Sequence, residues 1–171
     1  MIIFETSRLL VRRYTEADTD HFYQLNSDPE VMKYIRQPKT FEESRQFLME
    51  TIAFYEKNPL FGRFAVIEKS SQDFAGSFAI IPLDNSTHWQ VGYALMKPHW
   101  GKGYATELVK AGLEYAFNQA GLNYLAGVTE ILNGDSQKDL LKTGFKYEKN
   151  FIEGQKELML FSITPQPPKG E

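Results

Sequence analysis

Segment 94–108, ALMKPHWGKGYATEL, constrains the fold more than any other part of the chain. An apolar run ends at Met96, Gly101 and Gly103 flank Lys102, and a helical pattern begins directly after them. Glycines allow a sharp turn and a close approach of the backbone to a ligand, and the first turn of a helix presents unpaired N–H groups. The segment therefore predicts a strand, a tight corner and a helix whose N-terminus suits an anion.

The first third of the chain predicts one strand followed by helices. Residues 8–13 have the composition of a short strand. Thr15 is suited to cap the helix that follows, and Pro29 is suited to the first position of a second, short helix. Thr40 and Glu43 form a capping box ahead of a longer helix, which the Asn-Pro pair at 58–59 ends.

The middle of the chain changes to a strand pattern. Residues 63–69, 74–83 and 89–96 are apolar runs separated by SSQD and DNSTH, which are turn compositions. They predict an antiparallel meander that leads into the glycine corner. Helical spacing returns over 105–119, Gly121 ends that helix, and a strand follows at 124–131.

A strand, a corner, a helix and a second strand predict a crossover inside a mixed sheet, where ligands bind beyond the carboxyl ends of strands. A short helix over 136–142 and two further strands, FKYEK and LMLFSI, complete the sheet. We expect one domain over 1–163, because 171 residues with 42% hydrophobic content can bury a continuous core. The Pro-rich tail 164–171 is expected to be loose.

Composition excludes several classes of function. The formal charge of −3 and a pI near 5.7 predict no nucleic-acid partner. The absence of cysteine removes disulfides, thiolate metal sites and any cysteine nucleophile, and no metal site is predicted. The apolar stretch 74–83 is too short to span a bilayer, and the N-terminus lacks a signal-peptide core. We expect a cytoplasmic protein without a membrane partner.

Two common phosphate-binding motifs do not fit the corner. A P-loop requires Ser or Thr after Gly-Lys, and Gly103 stands there. A dinucleotide fingerprint requires a third glycine where Thr106 stands, and an acidic residue where Leu125 and Ala126 stand. A glycine turn without a ligand remains the simple alternative.

Residues 100–105, WGKGYA, resemble the pyrophosphate-binding loop of the GNAT family of N-acetyltransferases. That loop has Gln or Arg, two residues, Gly, any residue, then Gly or Ala, which Gly103 and Ala105 match. Trp100 departs from the first position, as in the branch that acetylates the N-termini of ribosomal proteins. The phrases TSRLLVRRYTEAD, NSDPEVMKYI, VGYALMKPHWGKGYATE and LLKTGF also resemble that branch, in its order and over 6–161.

The resemblance implies a mixed α/β fold with a mostly antiparallel sheet of about seven strands, helices on both faces and a splayed strand pair that holds the cofactor. It implies transfer of an acetyl group from acetyl-CoA directly to a primary amine, such as the N-terminal α-amine of a ribosomal protein. The partner is then an amine acceptor, either a peptide N-terminus or a small molecule. A homodimer is left open.

The resemblance also assigns site residues. Backbone groups near the end of the strand and in the loop would bind the cofactor, and so would one asparagine and one lysine further on: Ala94, Leu95, Met96, Gly101, Lys102, Gly103, Tyr104, Ala105, Thr106, Asn133 and Lys142. An N–H near Leu95 would polarise the thioester carbonyl. Ser136 is the catalytic candidate, as the acid that protonates the leaving thiolate. Lys142 would contact a phosphate, or remain solvated.

Several of these positions have structural alternatives. Asn-Gly at 133–134 is also a hairpin signal, and Ser136 is also a plausible helix cap. Leu140 stands where many family members have the catalytic tyrosine. Gln90 stands where many have a carboxylate base, and His88 beside it is more typical of an exposed turn residue.

The missing base favours acceptors that are easily deprotonated. A lysine amine is about 2.6 pKa units above an α-amine, so its neutral form costs about 3.5 kcal/mol more at neutral pH. The acceptor pocket is expected around residues 28–35, with Met32 and Tyr34, and the NSTH turn. A non-catalytic acyl-CoA-binding module and an acetyltransferase for small-molecule amines remain alternatives.

Overall fold

One eight-stranded sheet forms the centre of the protein in a computed structural model that describes residues 1–166, with the strand order β1-β2-β3-β4-β5-β6-β8-β7. The strands are β1 Ile2–Glu5, β2 Leu9–Arg13, β3 Gly62–Glu68, β4 Phe74–Pro82, β5 Trp89–Leu95, β6 Leu125–Glu130, β7 Lys146–Glu153 and β8 Lys156–Ile163. Every neighbouring pair is antiparallel except β5 and β6. The predicted meander is confirmed, and the short edge strand β1 raises the count from seven to eight.

Five α-helices connect the strands within the described residues: α1 Thr19–Ser27, α2 Pro29–Met32, α3 Phe41–Lys57, α4 Tyr104–Glu114 and α5 Gly134–Lys142. The predicted capping box of Thr40 and Glu43 opens α3, and Asp28 caps α2 by accepting from the N–H groups of Glu30 and Val31. A 3₁₀ turn, Glu16–Asp18, precedes α1, and a π-helical turn, Tyr115–Gln119, extends α4. None of the helices in residues 1–166 has the length and apolar character needed to cross a bilayer.

Helices cover both faces of the sheet, because alternate residues of each strand point to opposite sides. Phe64 and Val66 of β3 pack into one buried cluster with Leu108 and Val109 of α4, which we call the α4 core. Ala65 packs into a second cluster with residues of the first three helices, including Phe22, Leu25, Met32 and Leu48, which we call the α1–α3 core. The two-sided arrangement implied by the resemblance is confirmed.

The two central strands β5 and β6 separate along their length. β5 pairs with β4 over seven positions, from Pro82↔Trp89 to Gly76↔Leu95. Its parallel pairing with β6 comprises only Gln90↔Ala126 and Val91↔Gly127. The strands therefore diverge towards the carboxyl end of β5, which confirms the predicted splayed pair.

The C-terminal end of the described chain leaves the sheet at Ile163. Residues 164–166 are exposed and have no regular secondary structure. The rest of the predicted loose tail, 167–171, lies outside the described residues.

Candidate active site

The glycine corner joins the end of β5 to the start of α4. A 3₁₀ turn, Lys97–His99, leaves the strand, and Gly103 is the N-cap residue of α4. Gly101 has φ 74° and Gly103 has φ 81°, both in the left-handed region that other L-residues rarely adopt. The chain therefore needs glycine at both positions to reverse direction before the helix.

The corner presents a run of free main-chain donors. Within residues 1–166, no N–H group from 101 to 106 has a hydrogen-bond partner, and the first backbone bond into the helix is from the Glu107 N–H to the Gly103 carbonyl. These donors lie at the positive end of the α4 dipole. Six consecutive unpaired N–H groups beside a cleft suit a diphosphate, because each phosphate can accept from several of them.

The carboxylate of Glu68, at the end of β3, contacts several residues of the glycine corner. It accepts hydrogen bonds from the Tyr104 hydroxyl, from Ser71 Oγ at 2.7 Å and from Lys102 Nζ at 3.4 Å, and the buried His99 Nδ1 lies 3.3 Å away. The hydrogen bond from Tyr104, together with those from Ser71 and Lys102, lowers the pKa of Glu68 to about 2. Glu68 is therefore ionised at neutral pH, and it fixes the loop from 99 to 104 against the sheet.

A second carboxylate, Glu107 in the first turn of α4, ties the helix to the N-terminal strands. Arg8 pairs with Glu107 at 2.7 Å, and Thr6 Oγ1 also donates to the Glu107 carboxylate. Burial opposes ionisation of Glu107, but the hydrogen bonds from Thr6 and Arg8 outweigh it and lower its pKa. The Arg8 guanidinium lies 4.4 Å above the Tyr104 ring. Glu107 is thus engaged in positioning α4.

The main chain of β5 faces the gap at alternate residues. The Met96 N–H donates to the Ala75 carbonyl at 2.8 Å, and the Ala94 carbonyl points at Gly76, where a Cβ would lie 2.1 Å from its oxygen. In an antiparallel pair the intervening residues turn their polar groups the other way, so those of Tyr93 and Leu95 face β6. Trp100 Nε1 donates to the Leu95 carbonyl at 2.7 Å, which leaves the Leu95 N–H directed at the gap.

A chain of hydroxyl groups crosses the cleft between β5, α4 and α5. The Tyr93 hydroxyl lies 3.1 Å from Ser136 Oγ and donates to Asp139 Oδ2 at 2.7 Å. Thr106 Oγ1 donates to the other Asp139 oxygen at 3.3 Å. Burial raises the pKa of Tyr93, and the nearby Asp139 carboxylate raises it further against the opposing effect of Ser136. Tyr93 therefore stays protonated and can act as a hydrogen-bond donor.

Comparison with known proteins identifies the family. The family model described as "Acetyltransferase (GNAT) domain" matches residues 8–146. The chain belongs to the GNAT acetyltransferase family. A Bacillus licheniformis protein named "Uncharacterized N-acetyltransferase p20" is 32% identical over 146 residues, which cover 84% of this chain and 82% of the relative. The protein is thus an acetyl-CoA-dependent N-acetyltransferase.

Two solved GNAT structures share the fold. A Salmonella typhimurium acetyl transferase, described as modifying the N-terminal serine of a 50S ribosomal subunit protein, is 15% identical, with a TM-score of 0.81 over 97% of this chain and 100% of its own. The spermidine N-acetyltransferase of Vibrio cholerae, in complex with CoA and spermine, is 21% identical, with a TM-score of 0.77 over 93% of this chain and 96% of its own. At these identities the likeness concerns the fold.

Most of the predicted cofactor residues of this acetyltransferase surround one cavity of about 1120 Å³ at the splayed strands. Its lining includes Ala94, Leu95, Gly101, Gly103, Tyr104, Ala105, Thr106, Asn133, Ser136 and Lys142. Two predicted residues stand apart from this lining in the described chain. Lys102 pairs with Glu68, and Met96 packs against the α1–α3 core with its N–H bonded to Ala75.

The structure corrects the alternatives given for Asn133 and Ser136 at the start of α5, and it places Leu140 against β6. Asn133 caps α5 by accepting from the Ser136 N–H at 3.3 Å, so the Asn-Gly pair opens a helix and the hairpin alternative is wrong. Ser136 lies in the first turn, and the idea that it caps the helix is also wrong. Leu140 is buried against Gly127, where a Cβ would lie 2.9 Å from Leu140 Cδ1.

Tyr93 and Asp139 were missed by the sequence analysis. Tyr93 lies in the VGYAL sequence of β5. Because alternate residues of a strand point to opposite faces of the sheet, its side chain faces α5. The absence of a hydroxyl at Leu140 was the available signal that another residue would supply one.

The part of the cavity predicted to hold the acceptor lies on the other face of the sheet. Tyr34, Arg36, Arg63, Gln90 and Gly92 line it. Met32, in contrast, is buried in the α1–α3 core, and the exposed His88 lies against Tyr124 with ring centroids 4.1 Å apart. Of the two predicted acceptor elements, the segment 28–35 reaches the cavity, both within α2 and after it, and the NSTH turn does not contribute to its lining in the described chain.

Proposed function

We propose that this acetyltransferase transfers the acetyl group of acetyl-CoA directly to a primary amine, with the α-amine of a peptide N-terminus as the favoured acceptor. The observation that carries the proposal is the run of unpaired N–H groups from 101 to 106, which opens on the gap between β5 and β6. That run can accept a diphosphate, and the gap can admit an extended chain alongside the free edge of β5.

Acetyl-CoA would supply an activated acetyl thioester, and the protein would orient it. The Leu95 N–H, directed into the gap, is the donor suited to polarise the thioester carbonyl and to stabilise charge on its oxygen. The chain has no cysteine, so the acetyl group cannot pass through an enzyme thiol. Direct attack by the acceptor nitrogen follows.

We expect Ser136, with the Tyr93 hydroxyl beside it, to stabilise the leaving sulfur by hydrogen bonding. Burial raises the pKa of Tyr93 further above that of a thiol, so complete proton transfer from this hydroxyl to a thiolate is uphill. Because Tyr93 gives its one proton to Asp139, the Ser136 hydroxyl donates to Tyr93 in the structure, and we expect it to turn and donate to the developing thiolate. The proton that finally reaches sulfur comes from the attacking amine.

The strand position where many family members carry a carboxylate base holds an amide instead, which favours an α-amine. Gln90 occupies the position of the family's carboxylate, and its amide donates to the Pro82 carbonyl at 3.3 Å. An α-amine is about one-tenth neutral at pH 7, whereas a lysine amine is neutral about 400-fold less often. The likeness in fold to an enzyme described as modifying an N-terminal serine agrees with this choice.

The test is release of CoA thiol from acetyl-CoA in the presence of a panel of peptides and small amines, with acetylation checked by mass. Because the protein has no cysteine, a thiol-reactive chromophore has no background from the enzyme. We expect turnover with free peptide N-termini and at least tenfold lower kcat/KM at pH 7 for N-terminally blocked lysine peptides. Binding of CoA without turnover across the panel would support a non-catalytic module instead, and preference for lysine at neutral pH would refute the choice of acceptor.

A further inference from the structure

Two arginines on the acceptor side of the cavity face it without an acidic partner. Arg63 is on β3, in the same cross-strand row as Ala79 and Gly92. Arg36 follows α2 and reaches the same face. Within residues 1–166, neither guanidinium forms an ion pair with Asp or Glu.

Both guanidinium groups approach the same aromatic ring, that of Phe47. The Cζ atoms of Arg36 and Arg63 are 5.1 Å and 4.9 Å from the centroid of Phe47. Arg36 Nη1 donates to Asn26 Oδ1 at 2.7 Å, which holds this side chain towards the cavity. For Arg63 no side-chain hydrogen bond occurs in the described chain, so all five of its donors are available.

Two other cations on this side of the sheet form ion pairs, whereas Lys33 and Lys39 form none in the described chain. Arg12 pairs with Asp18 at 2.8 Å, and Lys97 pairs with Glu30 at 3.1 Å. The cavity lining also includes carboxylates, of which Glu30 pairs with Lys97 and Glu130 pairs with Lys156 at 3.4 Å. The Arg36–Arg63 pair is therefore a local excess of positive charge.

Holding these two charges together without an anion is unfavourable. Both side chains are partly buried, and burial lowers the pKa of Arg63 to about 10, with repulsion from Arg36 as the next cause. Burial also lowers the pKa of Arg36. A bound anion would relieve both effects, and a guanidinium fork matches a carboxylate in two parallel hydrogen bonds.

We infer that Arg36 and Arg63 bind a carboxylate of the acceptor, so that the enzyme acts on primary amines that carry a nearby negative charge. This inference rests on the proposed function and names its substrate class. A polyamine, which carries several positive charges, would be repelled by the same pair.

The sheet geometry limits the distance between the amine and the carboxylate. Arg63 and Gly92 lie in one row two strands apart, which is about 10 Å between their Cα atoms. A Cβ built on Gly92 would meet no atom within 4 Å, so space for a ligand exists beside the splayed strand. An acceptor amine near Gly92 and a carboxylate at Arg63 are therefore within one or two residues of a peptide.

The test compares acceptors that differ only in one charge. The first pair is a C-terminally amidated peptide with aspartate or asparagine at its second position. The second pair is glycylglycine and glycylglycinamide, so the two pairs distinguish a side-chain carboxylate from an α-carboxylate. We expect kcat/KM to be at least tenfold higher for the carboxylate member of one pair than for its uncharged partner. The kcat/KM for spermidine should be lower than for either member of that pair.

Variants assign the preference to the arginines. Arg63→Gln and Arg36→Gln should each reduce the carboxylate preference at least fivefold, and Arg63→Lys should restore part of it. Lys39→Gln is the control, because Lys39 Nζ lies 5.0 Å from the same ring centroid but lines a separate shallow pocket with Glu42 and Glu43. It should keep the wild-type preference.

The outcomes separate this inference from the proposed function. Turnover without a preference above threefold in either pair, or a preference that survives in both glutamine variants, would overturn the inference and leave acetyl transfer intact. If no acceptor turns over, the proposed function fails. Calorimetric titration of the same pairs into the CoA-loaded protein then tests the site, with tighter binding of the carboxylate members as the supporting result and equal affinity as the refuting one.

Discussion

The Tyr93 hydroxyl gives the sharpest test of the active site, because Tyr93→Phe removes one oxygen and leaves the ring in place. The variant loses a 2.7 Å hydrogen bond to the Asp139 carboxylate and a 3.1 Å contact with Ser136 Oγ. A hydrogen bond to a charged group contributes about 1.5–3 kcal/mol. For a domain of this size, each 1 kcal/mol lowers Tm by about 2–4 °C, so the expected fall is about 3–12 °C. The variant should therefore be folded at 25 °C.

The loss of the Tyr93 hydroxyl should also lower the rate. If Tyr93 orients Ser136 towards the leaving sulfur, its loss removes an interaction that matters most in the transition state. Stabilisation of this kind contributes roughly 10–100-fold, which is about 1.4–2.7 kcal/mol. We expect kcat to fall by that factor with little change in the KM for acetyl-CoA, measured by thiol release at saturating acceptor.

A double-mutant cycle decides whether the two hydroxyls act together. Ser136→Ala alone should lower kcat by a similar factor, and the Tyr93→Phe/Ser136→Ala double variant should be little slower than either single variant. Tyr115→Phe is the matched control, since the Tyr115 hydroxyl donates to the Leu60 carbonyl outside this cavity. A kcat within twofold of wild type for Tyr93→Phe, or effects that multiply in the double variant, would refute the reasoning.

Further predictions concern the corner and its anchor. Gly103→Ala should weaken CoA binding at least tenfold, measured by titration. Gly121→Ala is the control, because Gly121 has a similar left-handed φ of 75° and open space around its Cβ. Both variants should lose a similar amount of Tm, but Gly121→Ala should keep the wild-type affinity for CoA. Equal affinities would contradict the assignment of the loop. Because the pKa of Glu68 is lowered from 4.5 to about 2, its contribution to stability is complete above pH 4.5 and lost as the pH falls towards 2. Glu68→Gln should therefore lower Tm at pH 7 and flatten its dependence on pH across that window, and parallel Tm profiles for the two proteins would count against the anchor.

Local interactions explain why so much of the fold could be predicted. The capping box of Thr40 with Glu43 and the cap of α2 at Asp28 involve residues at most three apart, so their signals are contiguous in the sequence. The edge strand β1 was missed because its apolar run is only three residues long before Glu5, too short to separate from an irregular segment. It pairs with β2 in a hairpin through residues 6–8, and this connection has no glycine, proline or asparagine to indicate a turn.

The candidate site likewise contains a part that local sequence predicts and a part that depends on contacts between distant residues. The glycine corner could be predicted because its chemistry belongs to the main chain and its residues are adjacent. Tyr93 and Asp139 are 46 residues apart, and Glu68 and Tyr104 are 36 apart, so only the folded sheet brings each pair together. The Arg36–Arg63 pair is equally non-local, since Arg36 precedes α3 in the sequence and Arg63 follows it.

In the proposed function, the alternation of β5 places the two substrates on opposite faces of one strand. Val91, Tyr93 and Leu95 face the α4 core, where the hydroxyl chain lies, whereas Gln90, Gly92 and Ala94 face the side of Arg63. A side-chain period of two therefore keeps the cofactor-side groups and the acceptor-side groups apart without any additional element. The separation of β5 from β6 opens the passage between the faces, so the nucleophile and the thioester can meet only at that gap. A residue inserted into β5 would exchange the two faces, which explains why the site depends on the register of this strand as much as on its side chains.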